Sequence, residues 1–190
     1  VERVFPLFLK EKAMSPDKYV TQSDSIIGLR TDKYAILTIY WPDAHFQLGF
    51  KIRKGNNKDV VKVFTDIRHK VGDKMFAKAF NLNLCDNGTE FSTFYDIELD
   101  DNGNQIVRVY YTTPYKATDK PECERNHELF RYVISKHKTL DDLSQETINE
   151  IFSNINSYAR KELDGRPPYE MMVEFFGQDF VDKLGIRKVE

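Results

Sequence analysis

The sequence predicts an α/β fold built on a mixed five-stranded sheet flanked by helices. Three observations predict it. Three strand-like segments open the chain, joined by short polar turns. Apolar residues then switch to helical spacing at Asn57, and two further strands follow with another short segment between them. The last third of the chain reads as helix. The order is three strands, helix, strand, short helix, strand, long helices.

Residues 1–18 read as an irregular lead, with Pro6 and Pro16 around a Lys/Glu cluster. A strand carrying Asp24 falls within 19–29, with Ile26 and Ile27 beside it. Arg30-Thr31-Asp32-Lys33 is a turn. Tyr34 to Trp41 is rich in β-branched and aromatic residues and reads as a central strand. Pro42-Asp43-Ala44 turns the chain, Asp43 included, into a third strand from His45 to Ile52. These three form an antiparallel meander.

Val60, Val61, Phe64, Ile67 and Val71 then line one face of a helix of about four turns. Asn56 or Asn57 is its N-cap and Gly72 its stop. The fourth strand occupies 80–85, a short helix Phe91 to Ile97, and the fifth strand Ile106 to Tyr111. Helices follow at 121–136, 144–161 and 167–176, the last opened by Pro167-Pro168. We divide the chain into a lead at 1–18, a core at 19–163 and a helical extension at 164–190.

The 190 residues suffice for one domain with a sizeable core, since 41% are hydrophobic and 13% aromatic. A net charge of −2 is not that of a domain whose main task is gripping nucleic acid. The two cysteines, Cys85 and Cys123, form no Cys-x-x-Cys pair, so neither a zinc site nor a disulfide framework is expected. Both read as small buried residues beside candidate acids, in a reducing, cytoplasmic setting. The longest apolar run, Tyr34 to Trp41, is too short for a membrane span. The chain opens Val1-Glu2-Arg3 without Met, which reads as a fragment.

The segment with most chemistry is Leu84-Cys85-Asp86-Asn87-Gly88-Thr89-Glu90-Phe91. An apolar strand runs into an aspartate and turns at Asn-Gly, where positive φ is tolerated. Asp86 then stands at the open carboxyl end of a buried strand. A second copy, Asp101-Asn102-Gly103, reads as a surface hairpin turn. If the fourth strand pairs beside the first, Asp86 meets Asp24, and the helix after strand five brings Glu124 near both. Three clustered carboxylates need a counter-charge. Two Mg²⁺ ions supply it and suit phosphoryl transfer, with Mn²⁺ as substitute. Glu122 and Glu128 are alternatives to Glu124. Lys116, Lys120, Arg125 and Arg131 are the candidate phosphate contacts. Arg160, Lys161 and Arg166 form a second basic cluster. His127, one turn after Glu124, reads as a solvated helix residue.

These segments resemble those of DDE transposases of bacterial insertion sequences, of the IS-thirty type, within the integrase and ribonuclease-H-like superfamily. Gln22-Ser23-Asp24-Ser25-Ile26-Ile27-Gly28 resembles the family's first-aspartate strand, and Asp86-Asn87-Gly88-Thr89-Glu90-Phe91 its second-aspartate motif. Tyr111-Thr112-Thr113-Pro114-Tyr115 resembles the lead into its glutamate helix. Asn156, Arg160-Lys161, Leu163 and Arg166-Pro167-Pro168-Tyr169-Glu170 resemble its closing motif. Around Glu124, Cys123, Arg125 and His127 depart from the family's Asn-rich pattern.

The resemblance implies a ribonuclease-H-like core that nicks element ends and transfers strands, with Asp24, Asp86 and Glu124 as metal ligands. It implies DNA ends and target DNA as partners, a homo-oligomeric active complex, a separate N-terminal DNA-reading domain and no membrane. A metal nuclease without strand transfer, or a decayed core that only binds DNA or protein, would carry the same fold.

Overall fold

Val20–Ile27 (β1), Tyr34–Trp41 (β2) and Phe46–Arg53 (β3) pair antiparallel in sequence order. Leu82–Cys85 (β4) pairs parallel with β1, and Arg108–Tyr111 (β5) parallel with β4. The sheet order is β3-β2-β1-β4-β5, as the segment order predicts, with β1 rather than β2 at the centre. The computed structural model describes residues 2–114, 119 and 121–190, with backbone only at 121–126. Seven α-helices are described: Phe5–Met14 (α1), Asn57–Val71 (α2), Asp73–Ala79 (α3), Pro121–Val133 (α4), Gln145–Ser157 (α5), Pro168–Phe176 (α6) and Gln178–Lys183 (α7). None among the described residues is long and apolar enough to cross a membrane.

The register sorts side chains onto two faces. Asp24 lies opposite Thr38, and Thr38 opposite Gly49, so these three positions share one face. Trp41, Ile39 and Leu48 lie on the other. That second face holds an aromatic core: Trp41 meets Phe80 at 5.0 Å, Phe64 meets Phe94 at 4.7 Å, and Trp41 Nε1 donates to Ala79 O at 2.8 Å. Each such ring contributes about 1.5–3 kcal/mol by burial.

Residues 5–14 are helix, where the sequence reads as irregular. Pro6 sits in the first turn of α1, where its missing N–H costs nothing, and Pro16 follows the helix end. The helix buries only Phe8, against Tyr110 at 5.8 Å, so apolar periodicity carries almost no trace of it. Phe8 packs with Val20, Leu82 and Leu84, on the face that Asp24 shares.

The outer edge of β3 is closed by side chains of α5. Asn156 accepts from Gln47 N at 2.9 Å and donates to Gln47 O at 2.7 Å. Gln145 accepts from Lys51 N and donates to Gly49 O, both at 2.9 Å. Two amides on one helix thus stand in for a sixth strand and leave this edge poorly exposed to intermolecular pairing. Gly49 permits the approach: a β-carbon there would lie 1.9 Å from Phe152 Cε2.

The link from α4 to α5 is stitched to the β1–β2 turn. Asp32 accepts from Thr139 Oγ1 at 2.6 Å, Leu29 N at 2.8 Å and Leu140 N at 3.0 Å. These bonds hold its carboxyl below the ordinary carboxylate range. Asp141 accepts from Lys33 N and Tyr34 N, each at 3.0 Å. Asn56 caps α2 through Asp59 N at 3.2 Å, and Gly72 ends it at φ 84°. Both are as the sequence predicts. Helices α3 and α7, seven and six residues long, are too short for periodicity to mark. Met172, Phe176 and Phe180 of α6 and α7 are buried in the main core.

Candidate active site

Parallel pairing of β1 with β4 runs Val20 to Leu82 through Ser23 to Cys85. Asp24 and Asp86 are the next residues after this last pair, so the register brings the two chain positions to the same end of the β1–β4 pairing. The pairing that the sequence anticipates between the first and fourth strands is therefore present. Both residues are partly exposed.

The turn behind Asp86 is fixed from several directions. Gly88 N donates to Asp86 Oδ1 at 3.1 Å, and Asn87 Nδ2 donates to Thr112 O at 2.8 Å, beyond the end of β5. Thr112 N returns to Cys85 O at 2.8 Å. Phe91, wholly buried, anchors the far side, and Tyr111 Oη donates to its carbonyl at 2.8 Å. Burial raises the Tyr111 pKa and keeps that hydroxyl a donor. The turn is thus a rigid mount at a strand end.

Glu90 belongs to the same group. A β-carbon on Gly88 would meet Glu90 Oε2 at 2.8 Å and Asp86 Oδ1 at 3.2 Å, so both carboxylates crowd this glycine. Spacing along the motif does not reveal this, because the 3₁₀ turn Thr89–Phe91 folds Glu90 back.

On the other side, α4 crosses β1 and β2. His127 Nε2 lies 2.9 Å from Thr38 Oγ1, whose hydroxyl also contacts Asp24 O at 3.2 Å. The Thr38 hydroxyl thus links His127 to the backbone of Asp24. His127 is therefore half-buried against the sheet, not a solvated helix residue, because α4 lies flat there. Phe130 pins the helix against Phe152 of α5 at 5.8 Å, and Arg131 Nη2 donates to Ile27 O at 2.6 Å. Burial lowers the Arg131 pKa.

Glu124 falls in α4, one helical turn before His127. The side chains of Glu122, Cys123, Glu124 and Arg125 lie outside the described residues, and so do Lys116 and Lys120 altogether. Among the described residues no three His, Cys, Asp or Glu side chains gather as a metal-holding group. Asp24 and Asp86 follow the last β1–β4 pair, and Glu90 lies beside Asp86 across Gly88. Their oxygens are hard donors of the type Mg²⁺ takes. Cys85 is buried, as expected, and its Sγ donates to Tyr110 O at 3.5 Å. Arg160 donates to Ile155 O at 2.9 Å, and Arg166 is paired with Glu174 at 2.6 Å. That second basic cluster is partly committed within the fold.

No protein-family profile matches the chain. Over 81 residues it is 27% identical to the transposase for insertion sequence element IS1086 of Cupriavidus metallidurans. That match spans 43% of this chain and 24% of the transposase. Among solved structures, the catalytic core of BIV integrase superposes with a TM-score of 0.56 at 15% identity, covering 82% of this chain and 93% of that one. The HTLV-2 integrase catalytic core in complex with magnesium gives 0.51 at 13% identity, covering 80% and 95%. A chain of the simian T-cell lymphotropic virus intasome gives 0.59 at 10% identity, covering 80% and 53%. The chain thus has the ribonuclease-H-like fold of integrase catalytic cores and, over part of its length, resembles an insertion-sequence transposase in sequence.

Proposed function

We propose that this chain is the catalytic core of a DNA transposase that nicks element ends and joins them to target DNA. The observation that carries the reading is the parallel β1–β4 pairing, whose last pair, Ser23 and Cys85, is followed on each strand by an aspartate, Asp24 and Asp86. The helix containing Glu124 crosses the same face. The partial similarity to an insertion-sequence transposase supports the same reading.

Asp24, Asp86 and Glu124 would hold divalent metal, two Mg²⁺ ions in our reading. When bound, the metal neutralises charge on the reacting phosphate and favours both the attacking and the leaving oxygen. The magnesium named for the HTLV-2 core supports this choice. A water oxygen attacks phosphorus at the element end and a 3′-hydroxyl leaves. That hydroxyl then attacks a target phosphodiester, and one bond breaks as one forms. No covalent protein–DNA step is needed. The chain's own part is positional. The locked turn fixes Asp86, the centre of the sheet fixes Asp24, and the Thr38–His127 contact fixes α4 over β1 and β2. Lys116, Lys120, Arg125 and Arg131 would neutralise phosphates along the bound strand. The trimeric and dimeric forms named for the HTLV-2 core support association of several copies in the active complex.

The test is incubation with labelled element-end duplexes, intact and pre-nicked, in Mg²⁺ and in EDTA. The reading expects metal-dependent nicking and joining, both reduced to background in Asp24→Asn and Asp86→Asn. Nicking without joining would replace it with a hydrolytic nuclease. Neither activity in a folded protein that binds Mn²⁺ would leave a binding module.

A further inference from the structure

Beyond Asp24, a cavity of about 660 Å³ opens between the end of β1 and the second half of α4. It lies within the size range of small-ligand sites. Its lining has an unusual composition. Ile27 is 44% exposed and Tyr132 is 86% exposed, so the cavity presents an aliphatic wall and a flat aromatic ring to solvent. Arg131 and Lys136 add two basic side chains, and neither joins an ion pair among the described residues. Arg131 Nη2 is bonded to a neutral carbonyl, that of Ile27, and Nη1 is enclosed with no partner among the described residues. Glu128 is the one acid on the lining among the described residues, and His127 ties the cavity wall to Thr38.

A ring that exposed adds little to folding, since burial is what makes an aromatic stabilising. A guanidinium that meets no carboxylate among the described residues, set beside a lysine, suits an anion. A ligand that matches both has a flat apolar part and one phosphate. Only about 10 Å of strand separate Asp24 from Ile27, the reach of neighbouring nucleotides on one strand.

We infer that the cavity takes one unpaired nucleotide of the DNA strand that reaches Asp24 and Asp86. This rests on the transposase reading. Its base lies against Tyr132 and Ile27, and its phosphate between Arg131 and Lys136. The nucleotide must be unpaired, because a base inside a duplex has both faces stacked. Glu128 limits the net positive charge, which fits one phosphate rather than a run of them.

The experiment compares binding of a blunt duplex with the same duplex bearing a short 3′ single-stranded overhang, by fluorescence anisotropy in EDTA. The full chain is used, and each variant is first checked for an unchanged melting temperature. The wild type is expected to favour the overhang by about 5- to 150-fold, from the usual contribution of aromatic–base stacking. Tyr132→Ala should reduce the preference to less than about twofold, while Tyr132→Phe keeps it. An abasic overhang should bind like the blunt end. A 2-aminopurine in the overhang should be quenched by wild type and not by Tyr132→Ala. Equal binding of both duplexes by wild type, or a preference that survives Tyr132→Ala, overturns the inference. If that occurs while metal-dependent joining persists, the transposase reading stands without it. If joining fails in Mg²⁺ while the Tyr132-dependent preference holds, the reading fails and the cavity remains a single-strand site.

Discussion

Asp86 accepts a bond from Gly88 N inside its own turn, and a side-chain amide can accept that bond equally well. Asp86→Asn therefore keeps the turn while removing one charge from beside Asp24 and Glu90. Repulsion among the acids falls. The metal-free melting temperature should hold or rise, and the upshift produced by Mn²⁺ should shrink, because ligand-linked stabilisation follows affinity. A thermal scan with and without Mn²⁺ reads both. A clear drop in the metal-free protein would make Asp86 a structural cap. At Gly49 the constraint is volume, with a β-carbon placed 1.9 Å from Phe152 Cε2. Gly49→Ala should cost about 1–3 kcal/mol in urea unfolding, and Phe152→Leu should recover part of it. Asp86 is legible in sequence because a strand-end acid before a turn leaves a local pattern, and Asp24 because it is a lone acid inside a strand-like run. Glu90 and His127 are not. Their positions depend on a 3₁₀ turn and on a helix lying flat across the sheet, neither of which local spacing encodes.

The helix α5 works as the cover for an open sheet edge. Asn156→Ala would strand both Gln47 N and Gln47 O, each buried and already paired. Each unsatisfied group costs about 1–3 kcal/mol, so a loss of about 2–4 kcal/mol is expected by chemical denaturation. Light scattering should also rise as the edge opens. A loss below about 0.5 kcal/mol would mean that the edge is satisfied some other way. The loop between α4 and α5 adds a pH dependence through Asp32, whose carboxyl is held low by Thr139, Leu140 and Leu29. A depressed carboxylate contributes stability that is present above its unfolded pKa of about 3.9. That contribution is lost as pH falls through the lower, folded value. Asp32→Asn should lower the melting temperature at neutral pH and flatten its decline below about pH 4. An unchanged acid profile would remove Asp32 from the account. The strands and α2 were legible because period two, period 3.6 and an asparagine cap are local signals. The first helix was not, since it buries one side chain, Phe8, and takes its stability from the sheet beneath it.

Across the whole molecule, a net charge of −2 leaves little long-range pull on a polyanion. Binding to duplex DNA should be weak and should fall steeply with salt. It should be similar for an element end and a scrambled sequence, since phosphate contacts carry no sequence information directly. A preference for the end above about a hundredfold, inside the range of specific recognition, would contradict this. The central claim concerns the metal site on the acid face, between α1 over β4–β5 and α4 over β1–β2. The most direct measurement is anomalous diffraction from a crystal of the full chain soaked in Mn²⁺. The account predicts a peak bridged by the carboxylates of Asp24 and Asp86, with Glu124 completing it from α4. Ordered Asp24 and Asp86 carboxylates more than roughly 10 Å apart, with no peak between them, would contradict it.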